Sequence, residues 1–330
     1  MQLGKNKQGE STWKATRDGY GKGLVELGEK NKDVLVLTAD LTVSTRANWF
    51  QEKFPERLFT FGVAEQDMIS TAAGFALSGK IPFCCSFGVF ASGRAWEQVR
   101  TSVAYMNLNI NIGGTHGGIS VGPDGATHQA LEEITLMRVL PNMTVIVPCD
   151  TVEARKATIN SASISGPVYL RLSREKLPII TKEQEPFTIG KANVLKKGKD
   201  VTIIACGIMV YQSLFAGELL KKKGIDATII NLHTIKPIDI ETILKSASQT
   251  KAVVTCEEHL IAGGVGSAIA ESLAVTLPVP IEMVGVRNRF GESGDPWVLM
   301  KEFHLMPEDI VAACERVIAR KKKGKDKERF

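Results

Sequence analysis

The stretch "DVLVLTAD", Asp33 to Asp40, decides the fold class. Its apolar run is short, unbroken and closed by polar residues, with no alternation of apolar and polar positions. A run of that kind is a strand covered on both faces, and such strands belong to parallel sheets sandwiched between helices. The flanking sequence agrees. Upstream, "DGYGKGLVELGEKN" carries apolar residues at helical spacing. Downstream, "ANWFQEKFP", "RLFTFG", "AEQDMISTAAGFALSG", "IPFCCSF" and "ASGRAWEQVRTSVAYMN" read in turn as helix, strand, helix, strand and helix. "LNINIGG" and "TVIVPCD" add strands separated by a loop and the helical pattern "THQALEEITLMRVL", and "TVEARKATINSAS" with "GPVYLRLS" closes the series. From Arg174 to Gly190 the text turns to two prolines and mixed charge, which reads as a linker. A second, shorter alternation runs from "DVTIIACG" to "PIEMVGV". The expectation is an α/β protein of two domains, each a mostly parallel sheet covered by helices. The divisions predicted are an extension over 1–14, a first domain over 15–178, a linker over 179–190, a second domain over 191–318 and a basic tail over 319–330.

With 330 residues, 44% hydrophobic and 23% charged, the chain can bury two substantial cores. Its formal charge of +5 comes from the terminal run "RKKKGKDKERF", leaving the body near neutral. That pattern fits a solvated tail and argues against nucleic-acid binding. The six cysteines form no CxxC pair and mostly sit in apolar runs, as small hydrophobes do in a reducing compartment. The polar start "MQLGKNKQGESTWK" has no signal-peptide core, and no apolar stretch approaches the ~18 residues a membrane span needs. A cytoplasmic protein that binds neither membrane nor nucleic acid is expected.

In parallel sheets, ligands sit beyond the carboxyl ends of the strands. That rule gathers Asp40, the segment Gly62–Asp67, Phe87 and the loop from Gly113 to His128 at one edge. The loop, "GGTHGGISVGPDGATHQ", has neither the Lys-Ser/Thr of a phosphate-binding P-loop nor the GxGxxG of a dinucleotide turn. His116 and His128 lie too far apart for a helical metal pair. Polar recognition remains, because imidazoles exchange hydrogen bonds with hydroxyls near neutral pH, and so does a structural role for both histidines. Glu65, at a strand-to-helix junction, is either a carboxylate favouring the positive end of a helix or a group aimed into the cleft. Phe87 and Phe90 are core aromatics or a ring-stacking wall. Asp40 caps the next turn or faces the cleft, and Arg17, Ser44 and Arg174 are unremarkable taken singly.

Taken together, "ATRDGYGKGL", "TADLTVSTR", "FGVAEQDM", "SFGVFASGRAWEQ", "THGGISVGPDGATHQALEE", "LRLSREKLP", "EEHLIAGGVG" and "RNRFGESGDP" resemble, in order, the C-terminal half of transketolase. The resemblance implies a pyrimidine-binding domain followed by a transketolase C-terminal domain, and a thiamine diphosphate cofactor of which this chain receives only the pyrimidine half. The diphosphate and its Mg2+ or Ca2+ would fall to a separate N-terminal subunit, with two copies of each chain in the assembly. By the same resemblance Glu65 and His128 are catalytic. Glu65 matches the carboxyl that bonds the pyrimidine nitrogen N1′, which the cofactor needs in order to lose its C2 proton. Phe90 matches the ring that stacks on the pyrimidine, Phe87 lies beside it, and Asp40 matches an acid near the thiazolium side. Asp124 and His128 match groups that bind the donor hydroxyls, while Arg17, Ser44, His116 and Arg174 match the cluster that grips a sugar phosphate. Two positions depart: Gly93 stands where many members carry a third aromatic, and Asp67 where they carry His. "GVAEQ" also resembles deoxyxylulose phosphate synthase. Two further alternatives are the beta subunit of a 2-oxo acid dehydrogenase and a binding module that kept the fold without catalysis.

Overall fold

The computed structural model describes residues 13–327. Most of the predicted extension, residues 1–12, and the last three residues lie outside that range.

A seven-stranded sheet runs in the order Thr234–Lys236, Thr144–Ile146, Val168–Arg171, Asn111–Thr115, Ile81–Phe87, Val34–Thr38, Leu58–Thr60. All neighbours pair parallel except the first, which is antiparallel. Val34–Thr38 is buried along its whole length and sits between two neighbours, as its unbroken apolar run requires. Its residues alternate between two cores. Val34 and Val36, with Phe83 and Cys85, pack under helices Thr16–Lys30 and Thr151–Ser161 through Tyr20, Leu24, Ala154 and Ala157. Leu35 and Leu37, with Cys84 and Ile112, face helix Glu65–Leu77 through Met68, Ile69 and Ala72. This second core continues into the other sheet through Ile204, Ile230 and Val265, so one apolar body joins both.

The second sheet has five strands in the order Ile281–Val286, Val253–Leu260, Val201–Ala205, Ala227–Asn231, Asn193–Lys196. Four are mutually parallel, and Asn193–Lys196 closes one edge antiparallel. Two strands across the two sheets escape the pattern of apolar runs, and both are edges. Asn193–Lys196 is half-exposed with a single strongly apolar pair. Thr234–Lys236 is three residues long, lies in the second series of the sequence, and yet pairs with Thr144–Ile146 of the first sheet. Edge strands carry weak periodicity because one side has no partner strand.

Two helices differ from expectation. The segment after Phe87 is broken: Phe90–Arg94 and Val99–Ala104 wind as π-helix, with one short α-helical piece, Trp96–Gln98, between them. Of "THQALEEITLMRVL" only Glu133–Arg138 is helical. The expected basic tail also needs correction. Helix Pro307–Lys327 runs through it, Arg320 donates to Glu282 Oε1 at 2.8 Å, and Lys321 Nζ donates to Thr250 O at 2.6 Å. All six cysteines are buried and unpaired. No helix among the described residues is long and apolar enough to cross a membrane.

Candidate active site

Because strands Leu58–Thr60, Val34–Thr38, Ile81–Phe87 and Asn111–Thr115 are parallel, their carboxyl ends open on one edge. That edge receives Asp40, the turn before Glu65, Phe87 and the loop that begins at His116.

Glu65 opens helix Glu65–Leu77 and is fully buried. Ser86 Oγ donates to its Oε1 at 2.8 Å, and Arg94 Nη1 donates to Oε2 at 2.5 Å. Arg94, 39% exposed, also lies over the Phe90 ring at 4.6 Å. Phe87 and Phe90 stand nearly parallel, centroids 6.1 Å apart at 16°. His116 stacks on Phe87 at 3.8 Å, and His128 meets both phenylalanines edge-on at 6.0 and 5.4 Å. A sealed carboxylate, a pair of near-parallel phenylalanines and two imidazoles therefore adjoin at one sheet edge. Arg94 was missed by sequence reasoning. Its signal was a cation one turn after Phe90, and the π-helical winding that delivers it is a form frequent at functional sites. A side chain at Gly93 would meet open space, so the departure there leaves room rather than a gap in packing. Asp67 is exposed on the helix surface. Asp40 is exposed, on left-handed backbone at φ 59°.

Beside this group lies a cluster of cations. Arg17 Nη1 donates to Ser44 O at 2.8 Å and to His116 Nε2 at 3.4 Å, while its Nε is buried with no partner. Arg174 Nη1 donates to Val121 O at 2.6 Å and to Asp124 Oδ1 at 3.3 Å. Arg46, which nothing in the sequence pattern singled out, joins them through Asp18, the neighbour of Arg17. Burial first, then the nearby Arg17 and Arg174, push the His116 imidazole down to about 3, so it is neutral. Thr115 Oγ1 bonds His116 Nδ1 at 2.9 Å and Ser86 O at 3.4 Å. The hydroxyl proton goes to the carbonyl, which leaves the imidazole proton on Nδ1 and a lone pair on Nε2 for Arg17. Burial and Arg46 likewise lower Arg17 to about 10. The structure thus brings together Glu65, Phe87, Phe90, His116 and His128, and sets Arg17, Ser44, Arg174 and Asp124 alongside. Asp40 shares the edge without a hydrogen bond or ion pair to any described residue.

The profile of the transketolase pyrimidine-binding domain matches residues 13–179, and that of the transketolase C-terminal domain matches residues 190–310. The chain belongs to the transketolase family. A putative transketolase C-terminal section from Methanocaldococcus jannaschii is 47% identical, over 94% of this chain and 98% of the relative. A 6-deoxy-6-sulfo-D-fructose transketolase subunit from a Clostridium species is 44% identical, over 92% and 95%. Human transketolase is 36% identical over 93% of this chain but 49% of its own, so the chain spans about half the length of that relative. Among solved structures, a split-gene transketolase, described as an inactive beta4 tetramer, superposes with a TM-score of 0.87 at 47% identity, over 92% of this chain and 98% of that one. The chain corresponds to the C-terminal section of a split transketolase.

In this transketolase section the loop that carries His116, Asp124 and His128 is held from behind by the second sheet. Arg171, on the strand next to the loop, pairs with Glu133 and lies 3.5 Å from Glu258 Oε1, and all three side chains are buried. Glu258 Oε2 also accepts Ser120 N at 3.2 Å. Burial raises Glu133 and Glu258, whereas those two carboxylates, against the effect of burial, hold Arg171 above its ordinary value. Gly118 has φ +90°, and a Cβ there would lie 2.2 Å from Glu258 Cδ, so only glycine lets the loop turn over this pair. From the second sheet's far end, Gln129 Nε2 donates to Glu292 O at 2.9 Å.

Proposed function

We propose that this chain is the pyrimidine-side subunit of a split thiamine diphosphate-dependent transketolase, moving a two-carbon ketol unit from a ketose phosphate to an aldose phosphate. The observation that carries the reading is Glu65: a fully buried carboxylate, oriented by Ser86 and Arg94, at the foot of the Phe87–Phe90 wall. These residues fit the aminopyrimidine half of the cofactor, with Glu65 at a ring nitrogen and the phenylalanines against its face. When bound, the cofactor supplies the carbon nucleophile and electron sink that ketol transfer requires. The diphosphate and its Mg2+ or Ca2+ belong, in this reading, to an N-terminal partner subunit, and two copies of each chain assemble. Asp40 would stand toward the thiazolium side.

The chain's own residues would then bind and orient the sugar. Arg17, Ser44, His116 and Arg174 take the terminal phosphate, with guanidinium forks matched to its oxygens. Neutral His116 contributes a ring nitrogen without adding to the crowding of charge. His128, edge-on to the aromatic wall, and Asp124, bonded to Arg174 of the cation cluster, would take the hydroxyls next to the reacting bond. Remote phosphate binding would fix the carbonyl beside the aromatic wall. A 2-oxo acid dehydrogenase, whose substrates carry no phosphate, has no use for the cation cluster.

The test is reconstitution. With the N-terminal section, thiamine diphosphate and magnesium, the chain should transfer a ketol unit from xylulose 5-phosphate, and without that partner it should not. Glu65→Gln should cut turnover more than about 100-fold while the assembly still forms. Wild-type rates in that variant, or turnover of pyruvate in preference to the ketose phosphate, would overturn the proposal.

A further inference from the structure

Resting on that functional reading, we propose that Arg46 is a third guanidinium of the terminal anion subsite, positioned by Asp18, and that it sets the preference for a phosphorylated over an unphosphorylated sugar. The geometry starts at Ser44. The Ser44 carbonyl receives Arg17 Nη1 at 2.8 Å, and Arg46 lies two residues further along the same turn. Thr45 pins that turn, its hydroxyl donating to Leu41 O at 2.9 Å, and Arg46 leaves it on left-handed backbone at φ 68°. A β-carbon on Gly21 of helix Thr16–Lys30 would stand 2.6 Å from Arg46 Cβ, so the bare helix face admits the arginine against it. There Arg46 Nε donates to Asp18 Oδ1 at 2.7 Å, and Asp18 is the sequence neighbour of Arg17.

Each of the three arginines is held by some of its donors and keeps others unused. Arg17 has Nη1 engaged and a buried Nε with no acceptor. Arg46 has Nε on Asp18 and Nη1 on Val43 O at 3.3 Å, and its Nη2 bonds no described residue. Arg174 has Nη1 on Val121 O and Asp124. Buried donors are nearly always paired in folded proteins, and here the orphaned guanidinium nitrogen lies beside two more cations, a setting that suits an anionic acceptor. The ionisable groups that face this place are the three arginines and the two imidazoles, neutral His116 among them, against Asp18, Asp124 and Glu175. Arg46 ranks directly after burial among the influences that lower Arg17, which means that the two guanidiniums repel each other as they stand. A dianionic phosphate relieves that repulsion and takes the spare donors together, whereas a neutral hydroxyl at the sugar terminus does neither.

The experiment compares wild type, Arg46→Ala and Arg46→Lys in the assembled enzyme, with xylulose 5-phosphate and with unphosphorylated xylulose as donors. Arg46→Ala should raise KM for the phosphorylated donor about tenfold or more, with kcat within about twofold and the parameters for xylulose unmoved. Arg46→Lys should recover part of the loss, because it keeps the charge but not the fork. Competitive inhibition by inorganic phosphate should weaken in parallel. A rise in KM that is equal for both donors would mean that Arg46 only holds the Ser44 turn, and an unchanged KM would mean that it faces elsewhere; either result overturns the proposal. If the wild-type assembly transfers no ketol unit, the functional reading fails on its own. Arg46 is then judged by titration of inorganic phosphate into the full chain, where Arg46→Ala must bind about tenfold more weakly for the subsite to stand.

Discussion

The loop from His116 to Glu133 has two charged faces, built on opposite rules. Its outer face looks onto Arg17, Arg46 and Arg174, which crowd one another, leave guanidinium donors unused and stay half-exposed. Its inner face encloses Arg171 among Glu133, Glu258 and Glu257, sealed from solvent, with the cation satisfied by two carboxylates and a backbone carbonyl. The outer face keeps its excess of positive charge, whereas at the inner face burial favours proton uptake and raises Glu257 to about 8, against the two backbone N–H groups it accepts. The difference is the one expected between a place that would receive an anion and one that holds a loop. Unspent donors with mutual repulsion cost stability, which an anion bound among them would recover.

Stability measurements are the severest way to break this contrast. Arg171→Met leaves Glu133 and Glu258 buried without their cation and should cost about 3–5 kcal/mol, read as a lower urea midpoint. Arg17→Met, made for comparison, should stay within about 1 kcal/mol of wild type, because the cation it removes is already repelled by its neighbours. Equal losses in the two variants would erase the distinction. A smaller effect is expected at Glu65. Arg94→Gln gives up a charged hydrogen bond to Oε2 and should lower turnover about tenfold, with KM for the sugar unmoved. A shift in KM without a change in turnover would place Arg94 in the sugar subsite instead.

The smallest effect lies in the pH profile of stability. Burial raises Glu257 to about 8 and Glu153 to about 7, so the fold keeps protons that the unfolded chain releases above the ordinary glutamate range. Their contribution is complete below the ordinary glutamate value, falls as pH rises above it, and is gone once pH has passed 7 and 8. His116 and His259, lowered to about 3, and His233, lowered to about 4, act in the other direction. The unfolded chain takes up protons on them as pH falls below their ordinary value, and the fold refuses those protons. Above about pH 6.5, where the histidines add no further slope, thermal midpoints should fall as pH rises through 8. Glu257→Gln should make that fall shallower; an unaltered fall would show that the inner face does not hold the proton.

Much of this was legible in the order of residues. Val34–Thr38 could only be an interior strand, since nothing polar interrupts it to face water. Once that strand was placed, the parallel rule carried Glu65, Phe87 and His116 to one edge, and the family motifs ran along the chain in order. The π-helical winding after Phe87 and the strand Thr234–Lys236, which crosses from one sequence series to the other sheet, were not legible, because neither has a hydrophobic period of its own. Arg46, Arg94 and Arg171 look alike in sequence. Each became distinct only through partners 28, 29 and 38 positions away, Asp18, Glu65 and Glu133. Local pattern is set by which face of an element meets water, and that is written in adjacent residues. The meaning of a charge is set by what it is buried against, and that is decided only when distant segments meet.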